Sequence, residues 1–221
     1  MSKESSHHAG TTENTYIDPG ATTPEAYEIS KTSRTLARKM VGNVTSEDRV
    51  RQRCSVAVGD FAMADLLRFN VDPVEATLKA LRNGAPIITD IRMVQVGIQK
   101  KGHRSEIVCA LDHGGDIAKE RGITRSSAGF ISLRDRVPGS IVIIGNAPSA
   151  LLTVCEMIKE GNRPAVVIGA PVGFVNAAES KTLLRTLNIP SVSTEGTRGG
   201  TPVAVAAINE CITLFIEEST T

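Results

Sequence analysis

Most of the residues that could do chemistry in this chain fall in five short polar segments. Each follows or adjoins a run of apolar residues. Because open parallel sheets bind ligands beyond the carboxyl ends of their strands, we expect these segments to meet in one cleft. The arginines in them would make that cleft attractive to anions. The segments are Thr89-Asp90, Thr124-Arg125-Ser126, Gly145-Asn146-Ala147-Pro148, Ala170-Pro171-Val172-Gly173 and Gly196-Thr197-Arg198-Gly199-Gly200.

Arg125 and Ser126 stand where a helix is predicted to begin. The free amides and the dipole of a helix start attract anions, and an arginine adds a bidentate contact to a carboxylate. A plain N-cap beside a solvated Arg125 explains the same residues equally well. The loop 196–200 also has two explanations: its glycines let backbone amides approach a ligand beside Arg198, or they simply turn the chain.

Three further polar residues are candidates with an equally good structural explanation. Asp90, at the end of a predicted strand, is either a functional carboxylate or the cap of a following helix. Asn146 either faces a ligand or closes its own turn. Lys181, on a predicted helix, either reaches an acid group of a ligand or belongs to a solvated helix face.

Several kinds of site are excluded by spacing. The chain has neither the phosphate-loop pattern nor the dinucleotide fingerprint between a strand and a helix. It has no nucleophile elbow and no cluster with metal-ligand spacing, and no metal site is predicted. His103 and His113 are interpreted as surface-loop residues. What the residues themselves support is a polar, arginine-containing cleft suited to a multiply anionic small molecule.

The elements that must position this cleft follow from the apolar pattern. Helices are predicted at 24–42, 45–58, 62–69 and 73–84, followed by a strand, a turn near Asp90 and a short helix over 85–98. A strand at 105–112 and helices at 115–122 and 124–137 come next. Three strand–loop–helix units then span 140–161, 163–187 and 189–218. Continuous β-branched runs indicate a parallel sheet covered on both faces, hence a three-layer α/β/α fold with an N-terminal helical segment.

Composition limits the partners. A net charge of +1 and an aromatic content of 3% argue against nucleic acid, and the longest apolar run is too short to span a membrane. Four cysteines without a CxxC pattern predict reduced core thiols in a cytoplasmic protein. Residues 1–22 are predicted to be a disordered arm, and residues 23–221 a single α/β domain.

The loops taken together resemble the ordered motif set of precorrin-8X methylmutases, a family that includes the cobalt-precorrin-8 methylmutases. The resemblance covers about residues 24–215, and its most specific part is the segment 169–181. The matching motifs are NGAPIITDIRMVQVGI (83–98), GITRSSA (122–128), GNAPSALL (145–152), GAPVGFVNAAESK (169–181) and RGGTPVAVAAIN (198–209).

The resemblance implies a Rossmann-like fold, a homodimer with substrate sites near the subunit interface, and an isomerase that needs no cofactor. The implied reaction moves a methyl group between adjacent carbons of a tetrapyrrole, precorrin-8X or its cobalt form. It also implies substrate-binding roles for residues matching the family's motifs: Ser33, Thr89, Asp90, Arg125, Ser126, Asn146, Gly173, Lys181 and Arg198.

One position departs from the family. Its proposed catalytic histidine corresponds here to Val56, counted back from Arg68-Phe69. Valine has neither a donor nor a titratable proton. Three explanations follow: a methylmutase that uses another group or positioning alone, a paralogue that binds a corrinoid without isomerising it, or an enzyme for a different step on a similar macrocycle.

Overall fold

Runs of β-branched residues form the central sheet. The computed structural model describes residues 21–220, and within them six strands lie in one sheet. β4 and β5 are buried along their whole length, as strands covered on both faces must be. The strands are β1 (Leu67–Asn70), β2 (Ile87–Thr89), β3 (Ile107–Cys109), β4 (Ile141–Ile144), β5 (Val166–Gly169) and β6 (Ser191–Thr194).

The strand order is β1-β6-β5-β4-β2-β3. Every neighbouring pair from β6 to β3 is parallel, and only β1 runs antiparallel to its neighbour, at the edge. The carboxyl ends of five strands therefore lie along one edge of the sheet. This confirms the predicted, mainly parallel sheet.

Helices connect and cover these strands. In the described range they are α1 (Pro24–Val41), α2 (Ser46–Val58), α3 (Met63–Leu66), α4 (Pro73–Arg82), α5 (Arg92–Gly97), α6 (Gly115–Arg121), α7 (Arg125–Ser132), α8 (Pro148–Lys159), α9 (Ala177–Thr186) and α10 (Thr201–Thr220). Single 3₁₀ turns follow β3 and α7, at 110–112 and 134–136. The second turn ends the predicted helix 124–137 early.

Two apolar clusters, one on each face of the sheet, make the core. Side chains of α2, α4, α5 and α10 pack on one face, and side chains of α7, α8 and α9 pack on the other. Alternate residues of β4 serve the two clusters: Ile141 and Ile143 belong to the first, Val142 and Ile144 to the second. The three-layer α/β/α prediction is confirmed.

The predicted helix 62–69 is wrong in its second half. The helix ends at Leu66, and residues 67–70 pair with β6 in the register Leu67↔Thr194 to Asn70↔Ser191. Leu67 and Phe69 suit a strand as well as a helix, so local pattern leaves the two undecided. The open edge of β6 decides, because pairing there satisfies backbone groups on both segments.

A buried carboxylate holds the N-terminal helices against α10. Glu210 is fully buried and accepts from Arg34 of α1 at 2.5 Å, and from Arg49 and Arg53 of α2 at 2.8 and 3.2 Å. Arg49 also pairs with Glu217 at 2.5 Å, and these carboxylates hold the pKa of its guanidinium above its usual range. The orientation of α2, whose last turn carries Val56, therefore depends on this network.

The predicted arm at 1–22 falls almost wholly outside the described residues, and the division of the chain into arm and single domain stays a prediction. Between residues 21 and 220, no helix is long and apolar enough to cross a membrane.

Candidate active site at the carboxyl edge of the sheet

The loops at the carboxyl ends of the parallel strands are joined to one another. The Gly200 amide donates to the Ala170 carbonyl at 2.7 Å, and the Gly173 amide donates to the Thr197 carbonyl at 3.1 Å, so the loops after β5 and β6 lie side by side. Gly145, after β4, packs against the backbone of Thr201 at the start of α10. These loops therefore meet at one edge of the sheet, as the sequence predicts.

Asp90 organises the loop between β4 and α8. It is fully buried; its Oδ1 accepts from the Gly145 amide at 3.2 Å, and its Oδ2 accepts from the amides of Asn146 and Ala147, both at 2.8 Å. Burial raises the pKa of this carboxyl group, and the backbone donors act against that rise. Asp90 thus occupies amides that a ligand anion would otherwise find free.

Two predicted hydroxyl groups also point inward. The Thr89 hydroxyl donates to the carbonyl of Val108 at 3.3 Å, and the Ser126 hydroxyl donates to the carbonyl of Asp90 at 3.2 Å. Both residues are buried. Their hydroxyls therefore fix β2 to β3 and α7 to the end of β2.

Arg125, Asn146 and Arg198 are the predicted polar residues that stay exposed at the edge. Thr124 caps α7 by accepting from the Ser127 amide at 3.3 Å, as the N-cap interpretation expects. Arg125 is not simply solvated, because its Nη2 donates to the Leu111 carbonyl at 2.9 Å. This bond anchors the guanidinium of a residue that stays exposed.

Lys181 differs from both environments predicted for it. It is fully buried in α9, and its Nζ donates to Thr194 Oγ1 at 3.0 Å and to the Arg198 carbonyl at 2.7 Å. Desolvation, with the nearby charge of Arg185, lowers the pKa of Lys181 to about 8. Neither a solvated helix face nor an ammonium directed at a ligand describes it; Lys181 supports the loop after β6 from beneath.

The Arg198 side chain forms an ion pair with Asp60, two residues beyond the end of α2. The hydrogen bond from Arg198 holds the pKa of the Asp60 carboxyl group below its usual value. Asp60 belongs to none of the five polar segments, and in the sequence only its place after Gly59, which ends α2, marks it as a loop residue. The pair fastens the end of α2 to the loop after β6.

Val56 lies in the last turn of α2, four residues before Asp60, and is 38% exposed. The thiol of Cys54 lies 3.5 Å from the Val203 carbonyl, so this part of α2 packs on the first turn of α10. Position 56 therefore borders the cleft on the side of β6. Ser33 is half-buried on α1, and within residues 21–220 its side chain makes no hydrogen bond to the edge loops.

The loop after β5 is unusually apolar for its exposure. Phe174 is 95% exposed, Val175 76% and Val172 45%. Gly173 between them has φ of +146°, which side-chain-bearing residues rarely adopt, and this conformation lets its amide reach the loop after β6. The loop thus presents large apolar side chains beside the cleft.

Of the histidines in the described residues, neither His103 nor His113 lies beside position 56. In His103, Nε2 lies 2.7 Å from the Gln99 carbonyl, and Nδ1 accepts from the Ser105 amide. The adjacent Gly102 packs on Ile216 of α10. Ile216 lies fifteen residues after Thr201, where α10 begins beside the cleft, and this places it roughly 22 Å from the cleft. His113 follows β3, at the opposite end of the sheet from β6. In the described part of the chain, no group of three or more His, Cys, Asp or Glu side chains could hold a metal ion.

Fold and site define a class: an α/β protein with a polar cleft at the carboxyl edge of a mainly parallel sheet. The CbiC family, described as precorrin-8X methylmutase, matches residues 28–214. The chain belongs to the precorrin-8X methylmutase family, whose members are isomerases that catalyse methyl migration in corrin biosynthesis.

Individual relatives agree with this assignment. A cobalt-precorrin-8 methylmutase of Methanocaldococcus jannaschii is 38% identical over 206 residues, covering 87% of this chain and 96% of that relative. A precorrin-8X methylmutase of Pseudomonas aeruginosa is 38% identical over 173 residues, covering 75% and 83%. The crystal structure of a Thermus thermophilus precorrin-8X methylmutase superposes with a TM-score of 0.79 at 35% identity, covering 86% of this chain and 97% of that one.

Proposed function

We propose that this chain catalyses the methyl migration that converts precorrin-8X, or its cobalt form, into the corresponding corrin acid in cobalamin biosynthesis. The observation that carries the proposal is the family match over residues 28–214, which spans every loop of the cleft. The shift takes place within one molecule. The protein therefore has to hold the macrocycle in a reactive conformation and stabilise charge that develops on it.

The chain's own groups divide this work. Arg125 is anchored and exposed, and it binds a carboxylate of the substrate through its remaining N–H groups. Asn146 offers an exposed amide that can donate to or accept from the macrocycle. Asp90, Thr89, Ser126 and Lys181 keep the loops in place from beneath. Those four residues are positioning residues in this proposal.

Val56 can neither donate nor accept a proton, so the proposal relies on orientation and on polar groups elsewhere in the cleft. An intramolecular rearrangement has no separate leaving group for a general acid to protonate. Orienting the reacting carbons is then the main requirement. The exposed side chain of Val56, beside the Asp60–Arg198 ion pair, adds an apolar contact for the macrocycle.

We further propose that the protein works as a cytoplasmic homodimer. The support within the chain is the apolar loop after β5, where Phe174 and Val175 are largely exposed. Large apolar side chains beside a polar cleft are typical of a surface covered by a partner. Light scattering after gel filtration should give the mass of a dimer, and a monomer for Phe174→Asp would locate the interface.

The activity is tested by incubating the wild-type protein and a Val56→His variant with precorrin-8X and with its cobalt form, and following the change in the absorption spectrum. Turnover by the wild-type protein is the expected result. Tight binding without turnover, together with activity in Val56→His, would reject the proposed reaction and leave a binding protein.

A further inference from the structure

The cationic side chains of the cleft differ in how many of their charges are already paired or buried within the protein. Lys181 is buried, and its ammonium donates to the Thr194 hydroxyl and to the Arg198 carbonyl. The Arg198 side chain is paired with Asp60. The charge of Lys181 is therefore buried, and that of Arg198 is balanced by the Asp60 carboxylate although half of the Arg198 side chain is exposed. Of the three cations predicted for this site, Arg125 alone is neither buried nor paired with a carboxylate among residues 21–220.

Arg125 lines a pocket of about 460 Å³ together with Gly115, Ala118 and Lys119 of α6. This α6–α7 pocket has two cationic side chains and a buried alanine but no carboxylate in its lining. Among the ion pairs of residues 21–220, none includes Lys119 or Arg125, although many of the chain's other arginines are paired.

The acidic residues near the pocket do not neutralise it. Asp116 and Glu120 lie on α6 with Lys119, but neither forms an ion pair with it in the described structure. Asp112, after β3, is already paired with Arg92 at 2.5 Å. The lining of the pocket therefore carries two positive charges and no negative one, which favours an anionic ligand.

The pocket is joined to the cleft yet displaced from its centre. Thr124, the cap of α7, lies 2.8 Å from the Ser149 hydroxyl in the first turn of α8, and Ser126 donates to Asp90. Leu111, which holds the Arg125 guanidinium, follows β3 at the sheet edge. Four strand spacings separate β3 from β6, roughly 19 Å. A ligand reaching the pocket from the cleft must be broad and must carry its charge on its periphery.

We propose that Lys119 and Arg125 together bind one peripheral carboxylate arm of the macrocycle, with the arm in the α6–α7 pocket and the ring over the loops after β4 and β5. The inference rests on the proposed function and adds Lys119 to it as a residue that selects the substrate. The guanidinium forms two parallel hydrogen bonds to the carboxylate, and the ammonium adds a third charged donor from the facing helix.

The test compares Lys119→Gln with Arg121→Gln, which removes the same charge from the same helix but lies outside the pocket. Equilibrium titration with the product corrin acid, beside steady-state kinetics, should show Lys119→Gln weakening binding and raising KM about five- to tenfold, the loss of one charge-assisted bond. Its kcat should hardly change. Lys119→Arg should recover most of the affinity, and Arg121→Gln should match the wild type.

Equal affinities for Lys119→Gln and Arg121→Gln, with a wild-type protein that binds and turns over its substrate, would overturn the role of the pocket and leave the proposed function standing. A fall in kcat without a change in KM would also overturn it, since an arm contact contributes to binding of the whole molecule. A wild-type protein that neither bound nor converted a macrocycle would reject both proposals.

Discussion

Replacing Asp90 tests whether a buried carboxylate holds the loop between β4 and α8. In Asp90→Asn, the amide oxygen can keep the two 2.8 Å bonds from Asn146 and Ala147, while its NH₂ group faces the Gly145 amide. One charge-assisted bond is lost and two donors oppose each other. We expect a loss of about 1–3 kcal/mol in the free energy of unfolding. Asp90→Ala removes every acceptor and should cost more, about 3–5 kcal/mol.

Urea unfolding followed by circular dichroism measures both values, and for a domain of this size each kcal/mol lowers Tm by about 2–4 °C. Asp135→Asn is the matched control, since Asp135 is exposed and should change the stability by less than about 0.5 kcal/mol. Turnover should fall in the order wild type, Asn, Ala as the loop loosens. The reasoning would be refuted if Asp90→Asn and Asp135→Asn were equally stable, because the charge of Asp90 and its contact with the Gly145 amide would then contribute nothing.

Two further predictions concern charges that the fold buries. Glu210→Ala leaves three arginines around an empty position and should cost about 3–5 kcal/mol in urea unfolding; a loss below about 1 kcal/mol would show that the network is solvated in solution. For Lys181, the folded pKa of about 8 lies below the ordinary 10.5, so the unfolded chain binds more protons between these values. Stability should therefore rise with pH across that window in the wild type, relative to Lys181→Met; parallel pH profiles of the two proteins would contradict the burial of the ammonium.

The local sequence pattern was enough to predict most of the helices and strands. The β-branched runs of β4 and β5, each followed by a loop and an apolar-striped helix, report burial on both faces without reference to any other part of the chain. The helix starts at Thr45 and Thr124 are likewise local, because a cap bonds to amides within its own first turn. Residues 67–70 were mispredicted, since their conformation depends on the free edge of β6, more than a hundred residues away.

The sequence by itself determined the layered fold, the cluster of polar loops at one edge and, through the motifs, the family. Only the tertiary structure decided which polar side chains form internal hydrogen bonds or ion pairs that hold that edge together. For Asp90, Lys181 and Arg198 local pattern left a ligand-binding and a structural explanation open, because their partners lie 55–57, 13–17 and 138 residues away. A side chain's chemistry is local, whereas its burial and its partner are set by the packing of distant segments. The packing of α6 on α7 likewise places Lys119 and Arg125 in the lining of one pocket, which local pattern did not predict.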